Sequence, residues 1–275
     1  MNRTQIEWVR NPDGTQGYTF NPITGCLNNC PYCYARKLAN GRLKARYRAN
    51  ENLAPTPRDL FNYSLDPFYP RYWHEKLCAL PGGKPKGIFV CDMSDLFGIG
   101  IPHEWQARVI AQIRKHTQHR FYLLTKQPQN LIKWSPFPDN CWVGVSATTE
   151  DMYWHALRGL KPVEAKVKFL SFEPLQGRVM KPGKPDYGDA GEMTEVQMLQ
   201  AAGINWLIVG AQTKPYKPPL KIWVNEIIEV CKRANIPYFL KDNLRPLMGE
   251  NLIQDIPKGE GDGISEEALN ANINR

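Results

Sequence analysis

Short apolar runs rich in β-branched and aromatic residues recur along the chain, each ending in polar residues and followed by a segment that can turn as a helix. They lie at residues 18–24, 87–92, 120–125, 142–146, 167–171, 206–210 and 238–241. Between them, residues 104–116 and 223–234 carry apolar side chains at helical spacing, which gathers them on one face. Residues 193–202 predict a further helix, opened by Glu192 or Thr194 and closed by Gly203. Strands that alternate with helices pair in parallel through right-handed crossovers. The pattern therefore predicts an α/β architecture, either a barrel or an open doubly wound sheet.

Two stretches break the alternation. Residues 51–72 are rich in Pro, Asn and Tyr, and residues 176–192 in Gly, Pro and Lys, so both read as surface excursions with a candidate role as lids. Residues 246–275 form a polar C-terminal tail with little to bury. That leaves residues 1–245 as one α/β domain, for which 275 residues at 42% hydrophobic content supply an adequate core. The chain has no run of eighteen apolar residues, and its first residues lack the apolar centre of a secretory signal. A soluble, cytoplasmic protein with no membrane partner is expected.

The formal charge of +8 favours a polyanionic partner. Arg36, Lys37, Arg42, Lys44, Arg46 and Arg48 fall within thirteen residues, interleaved with Leu38, Leu43 and Tyr47 and with no acid before Glu51. A helix here presents a positive face, whose ordinary use is solvation. Six cations exceed that need, and a phosphate-bearing substrate, whether a nucleic acid or a nucleotide, suits them better. Tyr63, Phe68, Tyr69, Tyr72 and Trp73 suit either stacking on a base or anchoring a loop against the domain, the second being the commoner use.

Seven cysteines are an odd number and too few for a disulfide scaffold, which points to a reducing compartment and metal–thiolate chemistry. Cys26-Leu27-Asn28-Asn29-Cys30-Pro31-Tyr32-Cys33 places three thiols in one short loop directly after the first strand. Three thiolates on a four-iron cluster leave one iron open for another ligand. Zinc would need a fourth ligand from elsewhere, and the chain has no second Cys-x2-Cys or nearby His-x3-His.

Cys-x3-Cys-x2-Cys with an aromatic residue before the third cysteine resembles the signature of the radical S-adenosylmethionine superfamily. Further stretches resemble a phage-associated family of radical-S-adenosylmethionine-like proteins of unassigned function: Asp92-Met93-Ser94-Asp95-Leu96-Phe97, Leu123-Leu124-Thr125-Lys126, Val143-Gly144-Val145-Ser146, Leu170-Ser171-Phe172-Glu173-Pro174-Leu175 and Phe239-Leu240-Lys241. Together they span most of residues 1–245. The resemblance implies a partial (β/α)6-type TIM barrel that the seventh strand extends or closes. It also implies a [4Fe–4S] cluster on Cys26, Cys30 and Cys33, S-adenosylmethionine on the open iron, and an electron donor such as flavodoxin or ferredoxin. Reductive cleavage to a 5′-deoxyadenosyl radical would then abstract hydrogen from a substrate, in the cytoplasm of a bacterial or phage-infected cell.

Active sites of parallel α/β barrels lie at the C-terminal strand ends, so the polar residues there become candidates. They are Asp92, Ser94 and Asp95, then Thr125 and Lys126, Ser146 and Thr148, Ser171 and Glu173, Gln212, and Lys241 and Asp242. Where the superfamily commonly carries Gly-Gly-Glu, this chain has Cys91-Asp92-Met93-Ser94-Asp95. The resemblance accordingly gives the amino group of S-adenosylmethionine to Asp92 or Ser94, and the ribose or carboxylate end to Ser146. Tyr32 would meet the adenine, and Glu173 the ribose or the substrate. Lys126 and Lys241 either hold a phosphate or act as bases if their pKa values are lowered.

Cys91 is either a hydrogen-atom donor or a small buried strand residue. Cys141 begins a strand and so belongs at the far end, while Cys78 and Cys231 read as packing. Three functions compete: radical modification or repair of a nucleic acid or nucleotide, the same chemistry on a peptide or small metabolite, and a non-catalytic zinc-containing nucleic-acid-binding protein.

Overall fold

The computed structural model describes residues 1–55, 63–181 and 193–257. Strand β1 (Asn2–Arg3) lies antiparallel beside β2 (Tyr18–Phe20). A second small pair joins β3 (Ile23–Thr24) to β4 (Arg71–Tyr72). The first predicted strand thus splits in two, at Asn21-Pro22, because proline has no N–H for the ladder. Next come β5 (Gly87–Val90), β6 (Arg120–Thr125), β7 (Cys141–Ser146), β8 (Val167–Phe172) and β9 (Ile204–Val209). A hairpin of β10 (Gln212–Thr213) and β11 (Tyr216–Lys217) precedes β12 (Tyr238–Leu240). The main sheet has eight strands in the order β1-β2-β5-β6-β7-β8-β9-β12, and every pair except β1–β2 is parallel.

Helices α4 (His103–Lys115), α6 (Glu195–Ala202) and α7 (Lys221–Ala234) match the predicted ones. Thr194 caps α6 in a reciprocal pair with Gln197, and Gly203 ends it in the left-handed conformation. The sequence reading missed α5 (Glu150–Leu160), which Thr149 caps by accepting the Met152 N–H. The basic segment is no single helix. It forms α1 (Tyr34–Asn40) and α2 (Lys44–Arg48), interrupted at Gly41, and is followed by the short α3 (His74–Leu77). Cys231 is buried on α7 and Cys141 on β7, but Cys78 is exposed because α3 ends one residue before it.

Strands buried on both faces account for their near-continuous hydrophobicity. Alternate residues such as Leu123, Val143, Val145, Leu170 and Leu207 pack against Val109, Ile113, Leu157, Leu199 and Ile227 of the helices. The other face carries an aromatic layer of Phe89, Tyr122, Trp142, Phe169, Trp206 and Phe239, covered by Trp8 and Val9 of the N-terminal segment.

Within the first predicted excursion, Arg71 is fully buried, and its guanidinium donates to the carbonyls of Asn50, Ser64, Asp66 and Tyr69. Phe68, Tyr69, Tyr72 and Trp73 are buried as well, so these aromatics anchor the segment against the domain. Residues 56–62 of it lie outside the described residues. In the second excursion Val179 and Met180 are buried, and residues 182–192 lie outside the description. The tail begins by running along β12, where Leu240 N–H donates to Ile253 and Asp255 N–H to Tyr238; residues 258–275 lie outside the description. No helix among the described residues is long and apolar enough to cross a membrane.

Gly25 connects β3 to the cysteine loop with φ at +86°, and a Cβ there would stand 2.3 Å from the Tyr69 carbonyl oxygen. Gly14 has a similar φ of +79° but open space around it. Gly14→Ala should therefore cost only left-handed strain, about 1 kcal/mol. Gly25→Ala should cost about 3 kcal/mol, since backbone must move as well, and urea unfolding of the two variants measures the difference.

Candidate active site

The loop that follows Gly25 is tied to the strand ends by backbone and side chain together. Gly25 N–H donates to Met93 O, Ser94 Oγ donates to Gly25 O at 2.5 Å, and Cys26 N–H donates to Phe68 O. Asp95, 5% exposed, accepts from Asn28 Nδ2 at 2.8 Å, from the Lys126 N–H at 2.9 Å and from the Phe97 N–H at 3.1 Å. Gln127 Nε2 then donates to Asn28 Oδ1. One carboxylate thus joins the cysteine loop to the ends of β5 and β6.

Cys33 is the N-cap of α1, and its sulfur accepts the Arg36 N–H at 3.3 Å; the Cys26 sulfur accepts the Asn28 N–H at 3.4 Å. Hydrogen bonds such as the one on Cys26 favour a thiolate. Against them, burial pushes the Cys26 thiol up to about 12, with Asp95 and the two neighbouring thiols adding to the shift. A metal that binds here displaces a proton, as thiolate ligands require.

The three cysteines line one cavity of about 230 Å3 at the C-terminal edge of the parallel strands. The sequence-predicted residues Tyr32, Asp92, Ser94, Asp95, Thr125, Lys126, Ser146, Ser171, Glu173, Gln212 and Lys241 line it too. Trp8, Asn28 and Tyr34 also line it without having been singled out from sequence. Tyr34 directly follows the last cysteine, a position that could have drawn notice. Trp8 had no such signal.

Asp92 is held by Asn21 Nδ2, and Tyr34 Oη donates to the Asp92 carbonyl at 2.7 Å. Burial raises the Asp92 pKa, and hydrogen bonds from Asn21, Tyr34 and Thr19 oppose the shift. Tyr34 is 45% exposed as a residue while its hydroxyl rests on Asp92, and its pKa rises through burial and the Asp92 charge. Tyr32 is likewise raised, first by burial and then by Cys30. Ser94 spends its hydroxyl on the cysteine loop and Asp95 its carboxylate on three N–H donors, which leaves Asp92 as the carboxylate available to the cavity at the end of β5.

On the opposite wall, Glu173 accepts from Trp8 Nε1 at 2.9 Å and from Ser171 Oγ at 3.1 Å, and pairs with Lys241 Nζ at 2.7 Å. Burial pulls the Lys241 pKa down, but Glu173, Glu7 and Asp242 together outweigh it and carry the value above its usual one. Of the two roles open to Lys241, base or cation, this leaves the cation. Lys126 stands with Nζ 5.9 Å from the Tyr32 ring centre.

The six basic residues are not among the cavity lining. Arg36 reaches inward, donating to Cys26 O at 3.1 Å and stacking over Phe68. Lys37 donates to Lys214 O, Arg46 lies over Trp73, and Arg42, Lys44 and Arg48 are exposed. Cys91 is buried in the helix-side core rather than on the cavity wall. Thr148 and Asp242 are not among the lining: Thr148 is buried, and Asp242 is exposed and pairs with Arg245 at 2.6 Å.

Among the described residues, no three Cys, His, Asp or Glu side chains stand where they could share a single metal ion. A four-iron cluster asks for a different arrangement, because each thiolate binds its own iron. Three thiols on one cavity wall, in a loop without carboxylate or imidazole, fit that donor set.

A sequence family described as "Protein of unknown function (DUF5131)" matches residues 3–252. No curated protein matches the chain. Among solved structures, a point mutant of spore photoproduct lyase is similar with a TM-score of 0.43 and 13% identity, covering 81% of this chain and 75% of that one. That likeness is too distant to assign a reaction.

Two outcomes follow from the geometry. Asp95→Asn turns one acceptor oxygen into a donor facing N–H groups, and should cost about 2 kcal/mol in urea unfolding. Glu173→Gln should also cost about 2 kcal/mol at neutral pH, because it strands the Lys241 ammonium. Since the folded pKa of Lys241 lies above its usual 10.5, the pair's contribution is complete below that value and is lost as pH rises through the raised one. The cost of Glu173→Gln should therefore shrink only in the strongly alkaline range, which unfolding curves across pH would show.

Proposed function

The chain belongs to the DUF5131 family, and for it we propose a radical S-adenosylmethionine enzyme acting on a phosphate-bearing substrate. The supporting observation is that the three thiols of the Cys-x3-Cys-x2-Cys loop line the same strand-end cavity as Asp92, Ser94, Ser146, Glu173 and Lys126. In this reading the mostly parallel sheet is a partial (β/α)6-type barrel, extended by β12, with its active site where parallel barrels keep theirs.

Cys26, Cys30 and Cys33 would hold a [4Fe–4S] cluster. With S-adenosylmethionine on its open iron, the cluster would supply the electron that cleaves the sulfonium and yields a 5′-deoxyadenosyl radical for hydrogen abstraction. Asp92 supplies a carboxylate for the cofactor's ammonium group, oriented by Asn21 and backed by Tyr34. Ser146, 3% exposed, offers a hydroxyl for the ribose or carboxylate end, and Tyr32 a ring for the adenine. Glu173 is fixed by Trp8, Ser171 and Lys241, so it meets a hydroxyl without reorganising. Lys126 lines the cavity, and in this reading it is the cation that would meet a substrate phosphate.

The seven cysteines are all free, which suits a reducing compartment and a small electron-transfer protein such as flavodoxin or ferredoxin as the donor. Anaerobic reconstitution with iron and sulfide, then reduction with S-adenosylmethionine, should give 5′-deoxyadenosine by chromatography. Cys30→Ala should abolish both the visible cluster absorbance and the product. Uptake of zinc with no cluster and no product would replace this reading with a metal-stabilised binding protein.

A further inference from the structure

Beside the cavity stands a projecting basic element. Ala211 is clamped at the base of the β10–β11 hairpin by Asn243, which donates to its carbonyl at 2.8 Å and accepts its N–H at 3.0 Å. Gln212 and Thr213 line the cavity, so the tip at Lys214, Pro215, Tyr216 and Lys217 stands at its mouth. Residues 213–218 are all exposed, and Tyr216 leaves 46% of its surface open. From the cysteine side, Lys37 of α1 donates to the Lys214 carbonyl, so the two segments meet at the rim.

The charge on both segments has one sign. Between Glu195 and Glu226 the sequence has three lysines, Lys214, Lys217 and Lys221, and no acid. Between Asp13 and Glu51 there is again no acid, and that stretch carries the cysteine loop and Lys37. Exposed like charges gathered at one rim repel each other, and a chain of phosphates relieves that by releasing its counterions. An exposed ring between two lysines adds a platform on which a base stacks. An enclosed cavity reaches a base only when the base is out of its helical stack.

We propose that the β10–β11 hairpin holds a single-stranded nucleic acid across the cavity mouth, with Lys37, Lys214 and Lys217 on its phosphates and Tyr216 against a base. This names the substrate class of the radical site and takes its catalytic purpose from that reading, but the binding itself requires no cluster.

The test is fluorescence anisotropy of a labelled single-stranded oligonucleotide, as DNA and as RNA, with the full chain over a series of salt concentrations. Lys214→Gln combined with Lys217→Gln should weaken binding about ten-fold and flatten the slope of log affinity on log salt by roughly 1.4, at about 0.7 per phosphate contact. Tyr216→Ala should weaken it about ten-fold with the slope unchanged. These side chains are exposed, so melting curves of the variants should match the parent. Unaltered binding by all the variants would overturn the proposal. So would a duplex bound as tightly as the strand, or polyglutamate displacing the strand as readily as unlabelled oligonucleotide does. Hairpin-dependent binding without any 5′-deoxyadenosine would remove the radical reading and support the hairpin's role; product formation with no hairpin-dependent binding would do the reverse.

Discussion

The Asp95 carboxylate is the contact on which the site depends. It takes three donors, one each from the cysteine loop, the start of the β6 exit and its own turn after β5. A buried carboxylate is tolerable only with its lone pairs filled, and here filling them fixes where the loop can lie. Gly25 makes the arrangement sterically feasible, because its positive φ and missing Cβ let the loop pass against the Tyr69 carbonyl. Arg36 holds the outer side by its bond to the Cys26 carbonyl. The loop that carries the three thiols is thus held from the strand ends and from α1 at once, which is the preorganisation a cofactor site needs.

The far wall is built by the same logic from a different source. The helix-free face of the sheet is covered by Trp8, whose ring packs with Phe89, Tyr122, Phe169 and Trp206. Its indole N–H, the polar end of an otherwise apolar side chain, is spent on Glu173. Glu173 in turn neutralises Lys241, so the cavity gains a fixed carboxylate rather than a mobile one. Core packing and site geometry are here one structure: the residue that closes the aromatic layer also aims an acidic group into the cavity.

Much of this was legible in the sequence because it is local. Seven apolar runs ending in polar residues predicted seven parallel strands and the wall of candidates at their ends, and an opening at Glu192 or Thr194 with a closing Gly203 predicted α6, which Thr194 does cap. What escaped depends on distant partners. Trp8 lies 165 residues from Glu173 and belongs to no periodic pattern. The basic run of residues 36–48 looked uniform, yet Gly41 divides it and packing against Phe68 draws Arg36 inward while Lys37 reaches the β10–β11 hairpin. Helix α5 was legible in principle, since Thr149 followed by Glu150 and Asp151 is a capping pattern. Cys78 was misplaced by one residue, enough to move it from a helix face to an exposed terminus.

The most direct test of a cluster with an open iron in this cavity is electron paramagnetic resonance of the anaerobically reconstituted, reduced protein, recorded before and after adding S-adenosylmethionine. The arrangement of Cys26, Cys30 and Cys33 beside Asp92 predicts a cluster signal that changes shape when the cofactor is added, and that is lost in Cys30→Ala. A signal indifferent to S-adenosylmethionine, or no cluster signal in a protein that stays folded, would contradict it.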